Sequence, residues 1–242
     1  TKNKITINKK TGKKISACIP VHSLGHPCRI DEIIKVCNQY NIPVIEDAAQ
    51  AMGSFYKNKH CGTFGKMGIL SFNGNKIITT GGGGAILCNN KVLAEKIRCV
   101  TDNAKSLRES YIEIGYNFRL PAINAALGLG QMENLNYYLS QKKILSKLYS
   151  EFFNSFHIPF FKPPKNCLSN NWLNVILLKN IQERDLFIKE LNKKRIYINT
   201  IWKPAHLLKP YQKFENDGLS VTEEIYNTLV TLPSSVDFSI ST

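Results

Sequence analysis

Acidic residues are scarce in this chain of 242 residues: 18 Asp and Glu stand against 32 Lys and Arg, a formal charge of +14. That balance excludes an acidic, solvating chain. It points either to anionic partners (nucleic acid, an acidic membrane surface, phosphorylated small molecules) or to a well-solvated basic surface. Six lysines (Lys2, Lys4, Lys9, Lys10, Lys13 and Lys14) precede the first acid, so part of the charge sits at one end and need not touch a functional site. No apolar run approaches the roughly 18 residues a membrane span requires. The basic start is followed by the strand-like ISACIPV, which is not the pattern of a secretory signal. Cysteine is present but not patterned: seven residues, with no C-x-x-C and no zinc spacing, read as reduced thiols of a cytosolic protein. The two common phosphate-binding signatures are also missing. Asn75 separates Gly74 from Lys76 and Ile77 replaces the hydroxyl residue, which rejects a Walker loop, and no G-x-G-x-x-G joins a strand to a helix.

What is there is a globular chain, 43% hydrophobic and 21% charged, long enough for one large domain or two smaller ones. Ile15–Val21 reads as a buried strand. Ile30, Ile33, Ile34 and Cys37 recur at helical spacing, with Asp31 at the helix start. IPVIED, residues 42–47, is a compact strand ending in two carboxylates. Strand, helix and strand form a βαβ unit, in which ligands gather at the carboxyl ends of the strands. Asp47 stands at such an end, either as a site residue or as the cap of the next turn. Further strands are expected at Gly68–Phe72 and Ala85–Cys88, and a helix carrying Leu93, Ile97 and Val100. GYNFRLPAINAALGLG reads as a loop entering a small-residue helix, followed by a long helix to about Phe156. Then come strand 172–178, helix 183–194, strand 196–202 and a last helix after Leu219. The pattern predicts an α/β fold with a mixed, mostly parallel sheet in a large domain over 1–140 and a smaller C-terminal α/β domain over 141–242.

Lys76 is the residue that needs explaining. It lies between two strands, beside a run of four glycines and with a strand-terminal aspartate in the same sheet. A surface lysine on a turn is one reading. The other is a desolvated amine that forms a Schiff base with a carbonyl cofactor, whose pyridine nitrogen a carboxylate would keep protonated.

Four blocks carry a resemblance that chooses between them: PVHSLGHP, IPVIEDAAQAMGS, GTFGKMGILSFNGNKIITTGGGGAI and GYNFRLPAINAALGLGQME. In wording, order and spacing they resemble the signature blocks of the DegT/DnrJ/StrS family of pyridoxal-phosphate-dependent sugar-nucleotide aminotransferases, over about Ile15 to Ser235. Within the family, the SFNGNKIITTGGGGAI wording is most like that of enzymes aminating 4-keto-6-deoxy sugars on nucleotide carriers for bacillosamine, legionaminic or related nine-carbon sugars. The resemblance implies a fold-type I transferase with pyridoxal 5'-phosphate on Lys76, which also shuttles the proton of the transamination. It implies Asp47 on the pyridinium nitrogen, Gln50 on the phenolic oxygen and Ser71 on the phosphate. Asn117 or Arg119 would complete the phosphate site of the second subunit in a homodimer that shares its active sites. His22 belongs to the loop near the substrate or serves as a structural loop histidine. The implied reaction is ping-pong, from L-glutamate to the C4 ketone of a nucleotide-diphosphate sugar for surface glycan synthesis, with no metal, nucleic acid or membrane partner. A branch with histidine at the Schiff-base position performs dehydration, and Lys76 argues against it.

Family members carry a further N-terminal section before the strand at Ile15, and its absence leads to the expectation that this polypeptide alone is inactive or poorly folded. Two other readings compete. A different fold-type I enzyme would share the lysine, although no cysteine stands in a desulfurase-like loop. A noncatalytic basic binding module would interleave its cations with exposed aromatics on one face.

Overall fold

The computed structural model describes residues 5–105 and 110–236, so Lys2 and Lys4 of the basic cluster lie outside the described residues. The chain divides into two compact units, one made of residues 1–139 and 163–172 and the other of 140–162 and 173–242. The first therefore takes back a ten-residue segment from beyond the boundary expected at 140.

In the first unit, α1 (Ile30–Gln39) leads to β1 (Ile45–Asp47), followed by β2 (Phe55–Tyr56), β3 (Lys59–His60), β4 (Met67–Ser71), β5 (Gly84–Leu87), α2 (Lys91–Thr101) and α3 (Ala122–Glu133). β1 and β4 pair in parallel, with Asp47 opposite Ile69, and β4 pairs antiparallel with β5, with Ser71 opposite Gly84. The central sheet is therefore mixed, as expected. The residues before α1 extend it on the β1 side through parallel bridges at Cys18 and Val21. They form no regular strand, because Pro20 brings a carbonyl to the Asp47 amide at 2.9 Å but has no N–H of its own. The apolar stripe of α1 buries Ile30 and Cys37 against Val44 and Tyr56. Ala48, Ala51, Cys61 and Leu70 form a second core close to the carboxyl end of β1.

The β2–β3 hairpin escapes sequence reading because Lys57 and Asn58 supply its two left-handed turn positions, φ 46° and 62°, where Asn-Gly is the recognisable signal. Residues 163–172 close this small sheet through β6 (Cys167–Leu168), which pairs with β2.

α4 (Leu135–Ser155) carries the chain onward. The second unit holds β7 (Val175–Leu177), α5 (Ile181–Lys193), β8 (Asn199–Thr200), α6 (Ser220–Thr228) and β9 (Leu229–Thr231), with an antiparallel sheet ordered β7-β9-β8. Its core is Phe153, Ile176, Leu178, Ile198, Val230 and Leu232. Asn180 caps α5 by accepting the Glu183 amide at 2.9 Å. The strands expected at 172–178 and 196–202 are shorter here. The amides of Trp172, Asn174 and Ile198 go instead to the side chains of Asn170, Ser234 and Asn192, the competition that local polar side chains offer to a ladder. Among the described residues no helix is long and apolar enough to cross a membrane.

Candidate active site

Lys76 lies on the 72–83 connection between β4 and β5. The neck of that loop is closed by Phe72, whose amide bonds Gly83 O at 3.0 Å and whose carbonyl accepts Thr80 N–H at 2.9 Å. Inside it the Lys76 amide turns back to Asn73 O at 3.0 Å. Asn124 of α3 ties the loop down from its Nδ2 to Thr80 O at 2.6 Å. Part of the glycine run is explained by the loop itself: Gly83 has φ +92°, and a Cβ there would stand 2.7 Å from Leu120.

The Lys76 amine is partly buried, and Nζ sits 4.1 Å from the centroid of the Trp172 ring. Burial pulls its pKa below the ordinary lysine value, and the Asp47 carboxylate pulls the other way. Asp47 ends β1, where one carboxylate oxygen accepts the Ala49 amide at 3.1 Å. Ser71 ends the neighbouring parallel strand, its Oγ accepting the Asn73 amide at 3.3 Å. Gln50, in the turn after Asp47, accepts the Leu24 amide on Oε1 at 2.6 Å, which leaves its Nε2 hydrogens as the donors for a bound molecule. An amine, a carboxylate, a hydroxyl and an amide donor are thus gathered around the carboxyl ends of β1 and β4.

Three sequence candidates have other surroundings. His22 is fully buried. Its Nδ1 accepts the Cys28 amide at 3.2 Å, so the ring proton lies on Nε2, which donates to Glu46 Oε2 at 3.0 Å. Both nitrogens are spent on the protein, which leaves neither for a substrate. Asn117 bridges Asp102 through the backbone, and Arg119 pairs with Asp102 at 3.3 Å, both on an exposed stretch of chain.

Sequence reasoning missed the residues that hold these groups in place. Glu46 is fully buried and saturated. Besides His22, it accepts the amides of Gly62 at 2.8 Å, Phe64 at 2.6 Å and Gly65 at 2.7 Å. Burial pushes its carboxyl up, but the bonds from His22, Gly65, Gly62 and Phe64 together bring it below the ordinary value. Asn170 spans two carbonyls of the turn after Asp47, Gln50 O at 2.9 Å and Met52 O at 2.8 Å. The fit around it is tight enough that a Cβ on Gly25, at φ +89°, would come within 1.8 Å of Asn170 Oδ1. Glu46 stood in plain view in the IED triplet; the 169–172 segment had no periodic signal at all.

Comparison with known proteins places this chain among relatives. Residues 2–241 match the model of the DegT/DnrJ/EryC1/StrS aminotransferase family. A Bacillus subtilis protein whose name designates it a pyridoxal phosphate-dependent aminotransferase, EpsN, is 36% identical over 93% of this chain and 60% of its own length. A GDP-perosamine synthase of Escherichia coli O157:H7 is 33% identical over 94% of this chain and 63% of its own. A crystal structure of a DegT DnrJ EryC1 StrS aminotransferase from Brucella abortus superposes with a TM-score of 0.87 at 28% identity, covering 93% of this chain and 61% of that one. The chain spans about three fifths of the length of these relatives.

Proposed function

Because this chain belongs to the DegT/DnrJ/EryC1/StrS aminotransferase family, whose cofactor is pyridoxal phosphate, we propose that it carries the cofactor-binding lysine of a sugar-nucleotide transaminase. In this reading the amino group of L-glutamate passes to the C4 ketone of a nucleotide-linked 4-keto-6-deoxy sugar. The observation that carries the proposal is the pairing of a desolvated Lys76 with Asp47 at the carboxyl edge of a parallel strand pair.

The donor set fits the cofactor. An aldehyde asks for an amine that is free of its proton, and burial of Lys76 moves it in that direction. A pyridine nitrogen asks for a carboxylate, a phenolic oxygen for an amide donor and a phosphate for a hydroxyl, the roles of Asp47, Gln50 and Ser71. When bound, the cofactor supplies an electron sink for charge developing on the substrate carbon. With the cofactor bound, Asp47 would hold the proton on its pyridine nitrogen, and Lys76 Nζ would be placed to accept and return the proton of the transamination, positioned transfer of a kind worth about 10² to 10⁴ in rate. His22 acts at one remove, by fixing Glu46 and through it the backbone of residues 62–65.

Asn117 or Arg119 is read as reaching the phosphate of a second subunit. Supporting a homodimer, α3 has no buried residue, and Ile123 and Leu129 on it are 81% and 66% exposed, as is Phe118 just before it at 71%. Seven free cysteines support a reducing, cytosolic setting. The glutamate donor and the C4 ketone rest on the family resemblance, and the nucleotide sugar also on the name of the GDP-perosamine synthase relative. Absorbance tests the core of the reading: with cofactor added, the protein gains the visible band of lysine-bound pyridoxal phosphate, and Lys76→Ala abolishes it. An unchanged band in the variant would overturn the assignment.

A further inference from the structure

The 169–172 segment makes hydrogen bonds to both arms of the site. Trp172 Nε1–H donates to Asn75 O at 2.6 Å, immediately before Lys76. The indole is 3% exposed, and its ring meets Lys76 Nζ at 4.1 Å from the centroid. The Trp172 amide bonds Asn170 Oδ1 at 2.9 Å, and Asn170 in turn holds Gln50 O and Met52 O. A tryptophan that merely fills a core turns its ring to apolar atoms; here the N–H fixes a loop carbonyl and the face meets a cation.

We propose that Trp172 is a positioning residue for the Lys76 amine: its N–H pins the Asn75 carbonyl and its ring covers Nζ, holding the amine in one place and away from bulk water. This rests on the reading of Lys76 as the cofactor lysine. A pinned lysine has already lost rotamer freedom that it would otherwise lose on meeting a carbonyl group. Among the described residues Asp47 is the charged group that acts on the amine, and it raises the pKa; burial lowers it and sets the net direction. The Trp172 ring, 4.1 Å from Nζ, is both a cover over the amine and a π face that favours its charged form, and loss of the cover is expected to dominate when the ring is removed.

Trace acetylation of the cofactor-free protein from about pH 7 to about pH 11, with the Lys76 peptide read by mass spectrometry, reports the amine's own titration. In Trp172→Ala water reaches Nζ. The midpoint is expected to rise toward the ordinary lysine value of about 10.4, and reactivity near pH 8 to fall about three- to tenfold. Trp172→Phe keeps cover and ring face, so the midpoint stays, but without the indole N–H the Lys76 amide exchanges hydrogen several-fold faster. A folded Trp172→Ala protein whose Lys76 titrates as in the parent would overturn the proposal. If that variant does not fold, Trp172→Phe with unchanged exchange at Lys76 would do so. Neither readout involves the cofactor. Reductive fixing of pyridoxal phosphate at another residue would remove the assignment of Lys76 and leave these results standing.

Discussion

The two units of the chain bury polar side chains to different extents. The first buries His22, Glu46, Ser54, Thr80 and Asn170, each with its hydrogen-bonding groups engaged by backbone or by one another. The second buries fewer, Asn174, Arg184 and Ser234, beside a core of aliphatic and aromatic side chains around Ile176, Ile198 and Val230. Apolar packing tolerates volume-conserving change, whereas a buried polar network fixes one geometry and fails when one member is altered. The unit with more buried polar groups is the one that carries Lys76, Asp47 and Ser71, the groups proposed to hold the cofactor, and precise placement of such groups needs a fixed surround.

The largest effect that sharpens this contrast is expected at Glu46. Glu46→Gln puts an NH2 group against an amide N–H donor, and breaking a buried charged network of this kind costs about 3–5 kcal/mol, read by chemical denaturation, with weakened cofactor retention. Its pH dependence has a definite sign. The folded-state pKa is lowered, so the stabilisation is present above the unfolded value of about 4.3 and is lost as pH falls through the lower folded value. A melting-temperature series through the acid range should therefore flatten in the variant.

Ile176→Ala probes the other unit. Truncating a fully buried isoleucine costs about 2–5 kcal/mol, while the visible absorbance of the cofactor on the remaining folded protein stays. Equal loss of absorbance per folded molecule in both variants would break the comparison. Asn180→Ala, which removes the α5 cap, is the smallest, about 1 kcal/mol by denaturation, again with cofactor attachment intact.

How much was legible follows the range of each signal. α1 could be read from the spacing of Ile30, Ile33, Ile34 and Cys37, and it spans Ile30–Gln39. Asp47 and Lys76 could be singled out because the ends of strands and a glycine run are local features. His22 lies in the loop marked by PVHSLGHP, but its buried hydrogen bond is to Glu46, 24 positions away. Asn170 and Trp172 act across 120 and 97 positions, and no periodicity marks a segment whose order comes from side chains bonding to distant backbone. The strand expected over 172–178 is present only as Val175–Leu177, because the amides of Trp172 and Asn174 are already bonded to side chains and unavailable to a ladder.

Lys76, and no other of the chain's many lysines, is proposed to bear the cofactor. Borohydride reduction of the protein in the presence of pyridoxal phosphate, followed by proteolysis and mass spectrometry, tests it most directly. One pyridoxyl-lysine is expected, in the peptide containing FNGNK, and it should be lost in Lys76→Ala. A label spread over surface lysines, or concentrated at Lys142 or any other single site, would contradict it.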